Sequence, residues 1–359
     1  MPITTTTEIA GPVDVKFQMT LLRNAKARCP HFVGSVPATI AEHQGTFTAK
    51  WRRIENLTPT TTPLAELTGS LNFPTRQGTQ PTVTDLTATV QKFGVFIYLN
   101  EEVDLVNFNG QTNKLAEVLG INAGQSLNRL QRNVMEDNAT AIFGGAATTA
   151  TGIAGAGITR SDITVAGNAL NRNIAMMFTP MTTGSANTNT TPIRPAYWGI
   201  CHVDVEEDIR LLTGFQPVEQ YAGQTSIANG EFGAVGNVRF VSTTEASIDS
   251  TAGQSITGTS TAAGRTTGSA TQYDVYNTVI LGQEAVGSLG FGMNHTKEIY
   301  QAGDRLPGVM MINHSKGSAG SADPFNEIST MGWKSWHTGL ILNSAWVRVI
   351  RHTASKLEA

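Results

Sequence analysis

The chain has 359 residues, 40% of them hydrophobic and only 15% charged, with a formal net charge of −3 at pH 7. That length can bury a large core, and the near-neutral balance excludes a protein drawn to nucleic acid by its overall field. Charged residues usually make up ~25% of a chain; here Thr, Ser, Asn, Gln and Gly take their surface positions, and neighbours can cover such a surface at a lower desolvation cost than charge.

No apolar run approaches the ~20 residues of a membrane span. The opening MPITTTTEIAGP has neither the basic nor the apolar region of a secretory signal. Cys29 and Cys201 lie far apart without CxxC or metal-ligand spacing, and read as free thiols of a reducing compartment.

Residues 1–12 are Thr-rich and read as an extended arm. Val13–Cys29 follows as a short amphipathic helix with Phe17, Leu21 and Ala25 on one face, ended by Pro30. Gln44–Asn56 and Thr82–Leu99, rich in Thr, aromatic and β-branched residues, predict two strands, and Pro59, Pro63, Pro74 and Pro81 punctuate the connection between them. The pair is a long hairpin with an irregular tip, or two strands of one sheet with a surface loop. A connection this long without evident structure is uncommon in a compact domain and usually functional. A two-stranded ribbon is marginal in water, so it needs another surface to lie on.

After an acidic turn at Asn100–Asp104, Asn113–Phe143 predicts one very long helix. Leu115, Leu119, Ala123, Leu127, Leu130, Val134 and Ile142 recur mostly at spacings of three and four, while Glu117, Gln125, Asn128, Arg129, Arg132, Glu136 and Asp137 fall largely on the other face. Thr112 or Asn113 caps the start, and Gly144-Gly145 stops it. At ~1.5 Å per residue this is a rod of roughly 45 Å. Gly120 and Gly124 weaken it by up to about 1 kcal/mol each, or mark the close approach of another backbone.

A Gly/Ala/Thr linker, Gly144–Gly157, leads to a helix over Ile163–Met177, capped by Ser161-Asp162, with Val165, Ala169, Ile174 and Met177 inward. Ala196–Val203 is a buried strand, Asp204–Leu212 a helix ended by Gly214, and Asn237–Thr243 a short strand. Residues 246–272 are low-complexity Ser/Thr/Gly/Ala and read as an inserted surface loop. A strand at Val275–Leu281, a helix start at Gln283 and a strand at Gly308–Asn313 follow. Thr330–His352 predicts a hairpin turning near Asn343-Ser344 and holds three of the five tryptophans. A long helix enclosed by β elements from distant parts of the chain indicates an α+β fold.

The densest titratable cluster is His202, Asp204, Glu206, Glu207 and Asp208, where the helix dipole alone accounts for acids in a first turn. Gly152, Gly155 and Gly157 would form a dinucleotide loop only with a third glycine where Arg160 stands. Lys316–Asp323 lacks the Gly-Lys-Ser/Thr order of a phosphate loop, and there is no HExxH or GxSxG. Trp333, Trp336 and Trp346 can stack sugars or bases, but large aromatics in a hairpin belong more often to a core or interface. No enzyme activity, cofactor or metal is expected.

The order of arm, long hairpin, very long helix, central α/β region and β return resembles the major capsid proteins of tailed bacteriophages, with the Hong Kong-type (Hong Kong ninety-seven-like) capsid fold. More narrowly it is similar to the podophage N-four-type family. The resembling stretches are IENLTPTTTP from Ile54, Glu117–Leu130, YWGICHVDVEEDIRL from Tyr197, EFGAVGNVRFVSTT from Glu231, and Lys316–Arg351. They are spread over about residues 37–352 and leave out the 246–272 insertion.

The resemblance implies an N-terminal arm over 1–36, an extended β-hairpin loop over 44–99 and a spine helix over 113–143. A peripheral domain would comprise 100–196 and 311–359, and an axial domain 197–310. It implies a homo-oligomer of pentamers and hexamers closing into an icosahedral head shell around double-stranded DNA, assembled in the host cytoplasm. Portal and possibly scaffold or decoration proteins would be its partners, with no membrane. Inter-subunit contacts would fall on Leu64, Leu67, Leu71, Phe73 and Arg76 of the loop and on Arg129, Arg132 and Glu136 of the helix. Some relatives cross-link a loop lysine to a neighbour's asparagine; Thr58–Pro81 contains no lysine, so no cross-link is expected. The alternatives are an encapsulin-type compartment shell and a β-rich receptor- or glycan-binding module.

Overall fold

The computed structural model describes residues 29–32, 34–41, 45–55, 57–61, 63, 80–106, 111–155, 157–178, 195–221, 230–256, 266, 271–292, 299–300, 308–318 and 323–355. The predicted arm, the helix before Cys29 and most of the hairpin tip lie outside these residues. In chain order the elements are β1 (Ser35–Ala41), β2 (Thr48–Ile54), β3 (Val83–Thr89), β4 (Gln91–Asn100), α1 (Glu101–Val106), α2 (Gln111–Asn138) and β5 (Thr140–Phe143). Then come α3 (Arg160–Arg172), β6 (Tyr197–His202), α4 (Glu206–Arg210), β7 (Phe215–Pro217), β8 (Glu231–Val235), β9 (Val238–Thr243) and β10 (Ile248–Asp249). The last are β11 (Val275–Leu281), β12 (Val286–Gly292), β13 (Ile299–Tyr300), β14 (Val309–His314), β15 (Ile328–Ile341) and β16 (Val347–His352).

Three sheets result among the described residues. β2 and β3 form an antiparallel ribbon by themselves. A six-stranded sheet runs β1-β12-β15-β14-β13, with β4 pairing along β15. An eight-stranded sheet runs β5-β16-β11-β6-β9-β8-β7, with β10 on β11. The 82–99 stretch therefore divides at Val90, its first half pairing with β2 and its second with β15.

Helix α2 joins the two large sheets. Ala116, Leu119, Ala123 and Leu127 pack on Met331, Trp333, Val309 and Met311 of the six-stranded sheet. Farther along, Met135 enters the core that Trp198, Ile200, Val279 and Val349 form in the eight-stranded sheet. Fully burying one such side chain contributes about 2 kcal/mol. At Gly124 the helix carbonyl accepts from the Cys29 thiol at 3.3 Å. A Cβ on Gly339 of β15 would sit 2.6 Å from Gln131 Oε1, so a larger residue there would have to displace the Gln131 side chain.

Several expectations are corrected. α2 ends at Asn138, and Thr140–Phe143 become β5, parallel to β16, because the β-branched and aromatic run after Ala139 gains a ladder there. Asn128 and Glu136, expected on the polar face, are buried by the segments that cover α2 from the side. The acidic turn after β4 is the helix α1. α3 begins earlier than predicted: Thr159 caps it, Asp162 returning a bond to the Thr159 N–H, and Ile163, Ala166 and Leu170 face inward. Val165 and Ile174 are exposed. The segment after Gln283 is a turn into β12, drawn into strand by partners on both sides.

The predicted C-terminal hairpin does not pair with itself. β15 lies in the six-stranded sheet and β16 in the eight-stranded one, with a short turn at Ser344–Trp346 carrying the chain across. The layers also depart from boundaries drawn at 197 and 310, since β16 sits beside β11 and β12 beside β15. The root of the 246–272 insertion is ordered: Ile256 N–H donates to the Thr271 carbonyl and Gln254 N–H to that of Ile153, both at 2.9 Å.

Candidate assembly surface

The ribbon alternates strictly along both strands, which gives it an inner and an outer face. Ala49, Trp51, Ala88 and the following Val90 pack on Ile40, Leu289, Phe291, Trp336 and Leu340. Phe47 stacks on Trp336, ring centroids 5.5 Å apart, and Arg53 Nη1 donates to the Leu342 carbonyl at 2.9 Å. The ribbon thus lies along the six-stranded sheet, on the face opposite α2, from Trp336 to Leu342. On its outer face Asp85 meets Lys50 Nζ at 2.6 Å and Arg52 Nε at 3.0 Å. Hydrogen bonds from Arg52 and then Lys50 pull the Asp85 carboxyl down to about 2. The ribbon ends with Ile54, Leu57 and Val83 exposed.

Over the other half of that sheet face the residues of β4 that point the same way are exposed. Phe96 and Tyr98 of β4 point the same way as Lys92, which lies over the Trp336 ring. They touch edge to face at 5.1 Å and are 61% and 66% exposed. Ile328 of β15 lies on the same face, and past the end of β4 Val103 and Leu105 in α1 and Phe325 in the turn before β15 are also exposed, the last 81%. Glu101 N–H donates to the Glu327 carbonyl at 2.8 Å and holds α1 beside that turn. Monomers rarely expose a cluster of this kind, and Glu101, Glu102 and Glu327 give it an acidic border.

Of the residues expected at subunit contacts, Leu64, Leu67, Leu71, Phe73 and Arg76 lie outside the described residues. Arg129, Arg132 and Glu136 come together along one side of α2, against the segment after β9. Arg129 Nε meets Glu245 Oε2 at 2.7 Å, and Arg132 Nη1 donates to the Glu245 carbonyl at 2.8 Å. Ser247 Oγ donates to Glu136 Oε2 at 2.7 Å. Arg129 remains 59% exposed at the side chain, whereas Glu136 is buried. The patch escaped sequence reasoning, although the unbroken apolar run Val95–Leu99 puts apolar side chains on both faces of β4.

Trp333 is buried, Trp336 lies beneath Phe47, and Trp346 Nε1 donates to the Asn173 carbonyl at 2.9 Å. The acidic cluster is structural: His202 Nδ1 accepts from the Asp204 N–H, Tyr276 donates to Asp204 Oδ2, and Arg210 pairs with Glu206. Among the described residues no three His, Cys, Asp or Glu side chains are placed to hold a metal, and no helix is long and apolar enough to cross a membrane. Both cysteines are buried free thiols.

No protein-family model matches the sequence, and neither does any curated protein. Solved structures do. The capsid of Ralstonia phage GP4 is similar with a TM-score of 0.62 at 11% identity, over 90% of this chain and 88% of that one. The head structure of Helicobacter pylori bacteriophage KHP40 gives 0.52 at 11% identity, over 91% of each chain. The holo-SrpI encapsulin complex of Synechococcus elongatus gives 0.50 at 6% identity, over 93% and 91%. What is shared at such identities is architecture: this chain has the Hong Kong-type capsid fold, with α2 as its spine helix and β2–β3 as its extended loop.

Proposed function

We propose that this chain is the major capsid protein of a tailed bacteriophage, of the podophage N-four type, a structural rather than catalytic subunit of the virion. The observation that carries this reading is the placement of the ribbon and the exposed patch. The ribbon leaves the six-stranded sheet at its Leu342 end, and the patch of Phe96 and Tyr98 lies toward the Ile328 end of the same face. At ~3.3 Å per residue the two ends of β15 are about 45 Å apart. One copy's loop, with Leu64, Leu67, Leu71, Phe73 and Arg76, then covers the patch and acidic border of the next copy. Such head-to-tail contacts close into rings, here pentamers and hexamers, and the rings into a shell around double-stranded DNA.

In this reading the six-stranded sheet and α2 form the peripheral domain and the eight-stranded sheet the axial domain. The exposed guanidinium of Arg129 stands at the helix edge, where a neighbour arrives. Assembly takes place in the host cytoplasm with a portal and, where needed, scaffold or decoration proteins. The net charge of −3 favours a wall that does not grip packaged DNA. With no lysine in Thr58–Pro81, mature shells run as monomers on reducing denaturing gels.

Sedimentation and negative-stain microscopy of the protein expressed alone, with and without residues 57–81, test the reading. Closed shells or tubes from the full chain, and none from the deletion, are expected. A discrete monomer that is unchanged by the deletion and binds a ligand overturns it. The likeness to an encapsulin supports a second reading, a compartment shell of the same fold. Cargo protein in place of DNA inside purified particles distinguishes that case.

A further inference from the structure

The outer edge of β4 has backbone groups set out for a strand. β4 pairs with β15 and, among the described residues, with no other strand. The Glu101 N–H donates to the Glu327 carbonyl at 2.8 Å, and these two residues continue the register in which Asn100 faces Ile328. Opposite residues of an antiparallel ladder alternate between bonded and unbonded pairs. Leu99, Ile97, Val95 and Phe93 therefore turn their N–H and carbonyl groups toward β15. The Ser329 hydroxyl reaches the Leu99 carbonyl from that side at 3.4 Å. Asn100, Tyr98, Phe96, Gly94 and Lys92 turn theirs outward.

Exposed apolar side chains flank this edge on both faces of the sheet, Phe96 and Tyr98 on one and Val95 on the other. A strand laid alongside would cover both. The usual protections of an edge are missing from β4. It is 10 residues long, its register with β15 is unbroken, it contains no proline, and Lys92 is its single charged residue.

The occupant follows from length and charge. The β2–β3 ribbon departs at the Leu342 end of β15, away from β4, so a loop that meets β4 comes from a second copy. Residues 64–73 are a proline-free run between Pro63 and Pro74, as long as β4 itself. Between Pro63 and Pro81 the charged residues are Glu66 and Arg76, and their spacing equals that from Lys92 to Glu102. A run parallel to β4 brings Glu66 beside Lys92 and Arg76 beside Glu101 and Glu102, whereas the antiparallel direction opposes like charges. We propose that residues 64–73 of one copy add to the outer edge of β4 in the next copy as a parallel strand, bonded to the outward backbone groups between Lys92 and Asn100. The proposal rests on the capsid reading and specifies how its loop binds.

Tyr98→Pro and Tyr98→Ser, compared in the full chain, test it. Both remove the exposed ring, but only proline removes the outward N–H, and neither takes a bond from β15. Tyr98→Pro is expected to raise the concentration at which half the protein sediments as particles at least about tenfold above that of Tyr98→Ser, a difference of one bond and its neighbours in the ladder. The two unassembled variants should unfold at the same temperature. Equal assembly by the two folded variants overturns strand addition and leaves the capsid reading standing, since particles still form. A native chain that stays a discrete monomer overturns the capsid reading and this proposal with it. If Tyr98→Pro does not fold, hydrogen exchange of the native chain decides. The Phe96, Tyr98 and Asn100 amides should then exchange at least about a hundredfold more slowly in particles than in the unassembled chain, and unchanged rates overturn the proposal.

Discussion

The indole Nε1 of Trp333, in the middle of β15, donates to Asn122 Oδ1 on the spine helix at 3.0 Å. Trp333 is only 3% exposed and is otherwise surrounded by apolar side chains. One polar tie in an apolar seam fixes how far the helix is advanced along the sheet, because apolar packing tolerates a shift that a hydrogen bond does not. Trp333→Phe removes the tie and part of the buried ring, for an expected loss of about 2 kcal/mol in urea unfolding. An unchanged midpoint would show that the bond does not set the register.

Two buried histidines predict acid sensitivity. His31 offers both its N–H, at 3.1 Å, and its Nδ1, at 3.0 Å, to Asn128 Oδ1, and His337 lies with its ring centroid 5.4 Å from that of Phe32. Burial pushes each imidazole down to about 4. The folded protein therefore binds these protons less readily than the unfolded chain. Their contribution is present above the ordinary value near 6.5 and is lost as pH falls from there through 4. The full effect is on the order of 3 kcal/mol for each. Thermal midpoints should drop over that window, and His337→Phe should flatten the drop.

What the sequence revealed and what it hid have separate physical causes. The spine helix was legible because Leu119, Ala123 and Leu127 repeat at its own period, and β6 and β9 because both are short apolar runs bounded by turn residues. Pairing was not legible. β15 and β16 look like a hairpin, yet each finds its ladder with strands from far away, β4 and β12 for one and β5 and β11 for the other. Local pattern fixes the face of a strand but not its neighbour. The burial of Asn128 and Glu136 was hidden for the same reason, since it depends on which segments cross the helix.

At the β8–β9 end of the eight-stranded sheet, Arg239 Nη1 lies 3.8 Å from Glu231 Oε1, and the guanidinium is 5.0 Å over the Tyr221 ring. Both side chains are almost wholly buried. Arg239→Met takes the cation from a buried carboxylate and should cost about 3–5 kcal/mol. Adding Glu231→Gln removes the charge as well and should restore a large part of that loss. Equal unfolding midpoints for the single and double variants would mean that charge is not what Arg239 supplies.

The patch on the six-stranded sheet separates association from folding. Phe96 and Tyr98 are mostly exposed in the single chain, so exchanging them for serine removes little buried area and should leave the unfolding free energy of the unassembled protein within about 1 kcal/mol of its native value. A neighbour that covers both rings gains about 1.5–3 kcal/mol from each on burial. Because β4 pairs with β15 through its backbone, the strand survives the change. The double variant Phe96→Ser/Tyr98→Ser should therefore sediment as a folded small species under conditions in which the native chain forms particles. Particles formed at native concentration and yield by a folded double variant would place the loop's landing surface elsewhere on the chain.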